Sequence, residues 1–179
     1  MSAPRLIGLI LAGGRSRRMG KDKAFVPLAG RLLIEHVIAR LAPQVDALVI
    51  SSNAPHKRFA EFHLPVLADI HGGFRGPLAG VHAALVTYPD DVVVSVAVDL
   101  PLLPPDLVER LKERWNGACC RYVGRGTEHA LAILWPSHRA AMLEHYLHTA
   151  SCVSGWLAAQ GEPIQLAPES MAALDINLN

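Results

Sequence analysis

Apolar and polar positions along this chain follow two different periods, and the switching between them predicts its elements. Residues 6–12, LIGLILA, are an unbroken apolar run that stops at glycine, the pattern of a strand covered on both faces. LLIEHVIARLA, 32–42, places apolar residues at helical spacing, with Glu35, His36 and Arg40 between them. DALVISS, 46–52, and LPVLAD, 64–69, predict a second and a third strand. PLAGVHAALVTY, 77–88, predicts a helix with Pro77 in its first turn. DVVVSVAVD, 91–99, is rich in valine and is the most strongly strand-like stretch of the chain. PPDLVERLKERW, 104–115, predicts a helix with proline in its first turn and mixed charges on its outer face. After Trp115, CCRYV and EHALAILW predict two strands around the turn GRGT, and residues 136–150 and 152–160 predict helices.

Strands separated by helices imply right-handed βαβ units. The expected fold is α/β, a Rossmann-like three-layer α/β/α sandwich with a mostly parallel central sheet. The chain has 179 residues, without an internal repeat, low-complexity tract or linker, and reads as one domain over 1–179. The stretch after residue 115 is expected to complete the sheet and wall one side of a cleft. In an open α/β sheet the ligand lies beyond the carboxyl ends of the strands. Residues 12–23, 52–54, 69–80 and 99–101 are therefore the expected functional positions.

Composition narrows the class. Hydrophobic residues make up 51% and charged residues 18%, and the mean hydropathy is +0.25, which suits a globular chain with buried central strands. The net charge of +1 gives no overall field for nucleic acid, so no nucleic-acid partner is expected. The first apolar run is too short to span a membrane and lacks signal-peptide organisation, so neither a membrane partner nor export is expected. Cys119, Cys120 and Cys152 make neither a disulfide framework nor a zinc pair, which suits a reducing, cytoplasmic setting.

The stretch LAGGRSRRMGKDKA, 11–24, carries the chemistry. Gly13 and Gly14 follow the first strand and allow a sharp turn whose N–H groups can converge on an anion. Arg15, Arg17, Arg18, Lys21 and Lys23 put five cations within nine residues, and an oligophosphate would explain both features. Arg15 and Arg17 fit equally well as exposed residues that supply only general attraction. The stretch is not a P-loop: Gly20-Lys21 comes one residue too late after Gly14, and Asp22 stands where the hydroxyl should be. Nor does it match the dinucleotide pattern of alternating glycines. Asp99, at the end of the valine-rich strand, is a carboxylate that needs a cation, a donor or water, and Mg²⁺ is a natural partner there. A helix cap or loop hydrogen bond is the simpler role for an Asp before a proline-rich turn.

LAGGRSRRMGKDK resembles the signature loop of nucleotidyltransferases, Leu-Ala-Gly-Gly-x-Ser-x-Arg-Met-Gly-x-Asp-Lys, and is most similar to that of the molybdenum cofactor guanylyltransferases. The resemblance continues through SSNA (Asn53), LAD (Asp69), GPLAG (76–80), VDLPLLPPDLVERL (from Asp99) and DIN near residue 177, so it covers nearly the whole chain. It implies transfer of GMP from GTP to molybdopterin with Mg²⁺ as cofactor, and it leaves molybdoenzymes or other cofactor-assembly proteins as further partners. It implies catalytic roles for Lys23, Asp99 and Arg18, with Asp99 holding the metal. It implies a GTP site of Leu11, Ala12, Gly13, Gly14, Lys23, Asn53, Asp69, Gly76 and Asp99. On their own, Asn53 reads as a turn residue and Asp69 as a strand-end cap. The nucleotide site would lie mainly in 6–105 and the acceptor side in 106–179, with Asn177 and Asn179 on the pterin. Asp175 stands where relatives often carry Asn, and Ala130 follows His129 where they tend to carry Pro. Gly13 favours GTP, because cytidylyl relatives tend to carry Ala there.

Cytidylyl transfer to the same pterin, or nucleotidyl transfer to a sugar phosphate, is the alternative within the fold. A nucleotide-binding module without catalysis is the alternative outside it.

Overall fold

The computed structural model describes residues 3–13, 22–54, 56–70, 76–117, 120–123, 130–159 and 165–166. Their strands are β1 (Leu6–Leu11), β2 (Pro27–Leu28), β3 (Arg31–Leu32), β4 (Ala47–Ser51), β5 (Val66–Leu67), β6 (Val92–Ala97), β7 (Cys120–Val123), β8 (Ala130–Pro136) and β9 (Gln165–Leu166). Their helices are α1 (Leu33–Leu41), α2 (Pro77–Thr87), α3 (Leu107–Glu113), α4 (Ala140–Leu147) and α5 (Val153–Ala159).

Seven strands form one sheet in the order β5-β4-β1-β6-β8-β7-β9. The β5-β4, β4-β1, β1-β6 and β7-β9 pairs are parallel, whereas β8 runs antiparallel to both β6 and β7. The sheet is thus mostly parallel, as the sequence implies, with β8 reversed because it returns along β7 and then lies beside β6.

Two apolar cores flank the sheet. Leu6 and Ile10 of β1 join Ile34, Val37 and Leu41 of α1 and Leu107 and Leu111 of α3 on one face. Ile7 and Leu9 face the other side, with Leu78, Val81 and Leu85 of α2, Leu143 and Leu147 of α4 and Trp156 of α5. This alternation is why β1 shows an unbroken apolar run: both of its faces are buried. Between β6 and β8 the buried polar pair is satisfied, with Trp135 Nε1 donating to Ser95 Oγ at 2.8 Å.

Two local expectations need correction, and one element has no counterpart in the sequence pattern. Residues 27–32 form a β2–β3 hairpin with Ala29 and Gly30 both at positive φ, a turn that the sequence hides because alanine rarely occupies it. The helix predicted from residue 104 begins at Leu107. Pro105 disfavours helical backbone at Pro104, and Gln44 occupies the break, donating to the Pro104 carbonyl and accepting from Val108 N–H. The helix predicted from residue 136 begins at Ala140, because Pro136 still pairs with Val92 and a short 3-10 turn over 137–139 follows it.

Candidate active site

The parallel register sets the last residues of four strands side by side: Leu67 against Ser51, Ser51 against Leu11, and Leu11 against Ala97. Backbone bonds carry the ladder slightly further, from Ser52 N–H to Leu67 O, Ala12 N–H to Ser51 O and Val98 N–H to Leu11 O, at 2.9, 3.0 and 3.2 Å. Asp69, Asn53, Gly13 and Asp99 each stand two residues beyond one of these strand ends. The four therefore form a row along one edge of the sheet. Three strand spacings separate its ends, roughly 14 Å.

At one end of the row, Asp99 Oδ2 accepts from Lys23 Nζ at 3.0 Å. The pair is partly exposed, with 35% of the Lys23 side chain and 27% of the Asp99 side chain open to solvent. Lys23 opens a 3-10 turn, Lys23–Phe25, that Asp22 caps by accepting from Ala24 N–H at 3.2 Å. Ala24 is fully buried beneath the turn, so the lysine must project to the surface side.

At the other end, Asn53 and Asp69 exchange two hydrogen bonds. Asn53 Nδ2 donates to Asp69 Oδ2 at 2.7 Å, and Asp69 N–H donates to Asn53 Oδ1 at 2.9 Å. The exchange fixes which way the amide points. The second N–H of Asn53 and Oδ1 of Asp69 have no partner among the described residues, so the pair presents one donor and one acceptor to a ligand.

Two glycines in the expected site play different parts. A Cβ on Gly13 would meet nothing nearer than Ser52 Cα at 3.5 Å, so the fold itself tolerates a side chain there. Gly76 precedes α2 with φ of 93°, a conformation that favours glycine, and faces the Ser151 carbonyl oxygen. The neighbouring Cys152 thiol is exposed, and its hydrogen bond with Ser154, helped by the Gly155 and Ser154 N–H groups, holds it below the ordinary thiol range.

The structure thus brings Leu11, Ala12, Gly13, Lys23, Asn53, Asp69 and Asp99 to one sheet edge, with Gly76 at the start of the helix that follows β5. Gly14, Arg18, Asn177 and Asn179 lie outside the described residues. Sequence reasoning missed Arg58, whose guanidinium joins Asp22 Oδ2 at 3.2 Å. No motif marks it; it sits in a polar stretch that only the fold carries back to the Lys23 turn.

Solved structures share this largely parallel sheet flanked by helices. The crystal structure of 4-diphosphocytidyl-2C-methyl-D-erythritol synthase from Anaerococcus prevotii superposes with a TM-score of 0.72 over 93% of this chain and 88% of its own, at 10% identity, and so shares the fold. Molybdopterin-guanine dinucleotide biosynthesis protein A from Archaeoglobus fulgidus superposes with a TM-score of 0.71 at 25% identity, over 90% of this chain and 83% of its own. A molybdenum cofactor guanylyltransferase from Cereibacter sphaeroides is 43% identical over 178 residues, 97% of this chain and 91% of its own. Residues 8–164 match the MobA-like NTP transferase domain, and the chain belongs to that family and is a nucleotidyltransferase. Among the described residues no helix is long and apolar enough to cross a membrane.

Proposed function

We propose that this chain transfers GMP from GTP to the terminal phosphate of molybdopterin, releasing pyrophosphate. The observation that carries the reading is the row itself: a lysine–aspartate pair at one end of a sheet edge, a donor and acceptor pair at the other, and Gly13 between them. Relatives named for guanylyl transfer, matched along 97% of this chain, support GTP and molybdopterin as the substrates.

The residues present fit a bound Mg²⁺. Asp99 offers a partly exposed carboxylate: Oδ2 accepts from Lys23, and Oδ1 has no partner among the described residues. Such an ion uses one or two carboxylates and completes its shell with phosphate oxygens and water. When bound, the ion would offset charge on the triphosphate and on the pyrophosphate that leaves.

The chain's own contribution is positioning and charge. Gly13 lets backbone N–H groups come close to the phosphates. Lys23 places its ammonium on the departing pyrophosphate as negative charge grows there. Asn53 and Asp69 hold the guanosine end: Asp69 Oδ1 accepts from a base N–H or ribose hydroxyl, and the spare Asn53 N–H donates. An oxygen of the acceptor phosphate attacks the α-phosphorus. The new P–O bond forms as the bond to the bridging oxygen of the β-phosphate breaks. The attacking oxygen is already ionised at neutral pH, so no side chain has to remove a proton.

The test is product formation with molybdopterin and GTP labelled at the α-phosphate. Label should pass to the pterin from GTP with release of pyrophosphate. Label passing from CTP and not from GTP would contradict the reading.

A further inference from the structure

Arg58 lies in the 3-10 segment His56–Phe62 that follows β4, more than thirty positions from the turn it touches. Its Nη1 donates to Asp22 Oδ2 at 3.2 Å, while its Cζ stands 4.2 Å above the centroid of the Phe25 ring. Asp22 and Phe25 are the two ends of the turn that presents Lys23: Phe25 N–H donates to the Asp22 carbonyl at 3.1 Å, and Asp22 Oδ1 accepts from Ala24 N–H. One guanidinium therefore grips both ends of a single turn of chain. The grip is anchored from below, because Phe25 packs on the fully buried Phe59 with ring centroids 5.2 Å apart, one position along from Arg58. Phe62 adds a second ring contact, 6.3 Å from Phe25.

An exposed ion pair alone contributes little. Here the same side chain also stacks on an aromatic ring, and a planar guanidinium can satisfy both contacts at once where an ammonium cannot. The turn it holds carries Lys23, whose Nζ reaches Asp99, and it contains the last residues of the glycine- and arginine-rich stretch 11–24.

We propose that Arg58 is a positioning residue for nucleotidyl transfer, acting through Asp22 and Phe25 to hold the Lys23 ammonium at the Asp99 end of the site. The proposal rests on the reading that Lys23 meets the triphosphate. It implies that Arg58 matters only while Lys23 is present, which a general stabilising role would not.

The experiment is a double-mutant comparison with the whole chain, using GTP with Mg²⁺ as the probe. Dissociation constants come from calorimetry, kcat and KM from pyrophosphate release with molybdopterin supplied as acceptor, and Tm from thermal melts. Arg58→Ala should raise the GTP dissociation constant roughly ten-fold, the loss of one charged contact, with Tm nearly unchanged. In the Lys23→Ala background the same substitution should change it less than about two-fold. Arg58→Lys, which keeps the charge and loses the planar stack, should recover only part of the loss. Asp22→Asn, which keeps an acceptor for Ala24 N–H and loses the ion pair, should mimic Arg58→Ala. Equal losses with and without Lys23, or a full-strength site in Arg58→Ala, would overturn the proposal. If Lys23→Ala itself binds GTP normally, the phosphate role of Lys23 fails first. If the unmodified chain does not bind GTP, the functional reading fails with it.

Discussion

Lys23 and Asp99 are 76 positions apart in the chain, yet Lys23 Nζ donates to Asp99 Oδ2 at 3.0 Å. The contact closes one end of the site: it brings the exit of the glycine-rich stretch to the end of the sheet's central valine-rich strand. A carboxylate with an ammonium already against it sits where a phosphate-bound cation needs an anionic anchor. Asp99→Asn should therefore reduce turnover by about 10²–10³-fold and raise the Mg²⁺ concentration required. The fold should survive, because the pair is partly exposed and weakly stabilising. Chelation should abolish pyrophosphate release and added Mg²⁺ restore it; unchanged turnover in Asp99→Asn would remove Asp99 from the metal role.

Gly13 after β1 and Gly80 of α2 should separate fold from ligand. Gly13 has ordinary room for a Cβ, so Gly13→Ala should leave Tm within about 1 °C and still weaken GTP binding, because the cost falls on the bound phosphates. A Cβ on Gly80 would overlap Ser51 Oγ and stand 2.9 Å from Ser51 Cβ, and Ser51 is buried on β4. The hydroxyl can rotate away, but the strand-borne Cβ cannot. Alanine's helical advantage of about 1 kcal/mol is outweighed by overpacking of about 1–3 kcal/mol, so Gly80→Ala should lower Tm. A large fall in Tm for Gly13→Ala, or none for Gly80→Ala, would reverse this division.

At the opposite end of the row, Asn53→Ala should loosen Asp69 by removing both of its hydrogen bonds to Asn53. GTP affinity should fall roughly ten-fold, with little loss of stability because the pair is exposed. Calorimetric titration of GTP into the variant is the check; affinity equal to that of the unmodified chain would place the base elsewhere.

Stability in acid should depend on Asp91. Its carboxylate accepts from Arg5 N–H at 3.0 Å and from the Arg5 guanidinium at 2.7 Å, tying the chain before β1 to the start of β6. These hydrogen bonds hold the Asp91 carboxyl below the usual carboxylate range, against the opposing effect of burial. A carboxyl with a lower pKa in the folded state than in the unfolded one contributes fully above the unfolded value, about 3.9, and loses that contribution as pH falls below it. Asp91→Asn should lower Tm by about 3 °C at neutral pH, and the difference from the unmodified chain should shrink below pH 4. A difference that stays constant into acid would contradict the assignment.

The sequence made the framework legible where burial is complete. β1, β4 and β6 read as apolar runs because both of their faces are covered, and their ends pointed to Gly13, Asn53 and Asp99. The ladder's last paired residue, Ala97, falls two positions short of Asp99, which puts Asp99 beyond the sheet where Lys23 can reach it. Less legible were elements held by contacts distant in sequence. The β2–β3 hairpin has only two residues per strand, and the 56–62 segment is set by Phe59 entering the core. The start of α3 depends on Gln44, 64 positions before Val108. Arg58 is invisible for the same reason, since only folding carries it to Asp22. The reciprocal Asn53–Asp69 bonds needed the register of β4 on β5, which no one-dimensional pattern shows.

The most direct measurement is a crystal structure with a non-hydrolysable GTP analogue and Mg²⁺. The expected result is a triphosphate between Gly13 and Asp99, with Lys23 on its phosphates and the guanosine at Asn53 and Asp69. A nucleotide bound away from this sheet edge, or lying with its base at Asp99 and its phosphates at Asp69, would contradict it.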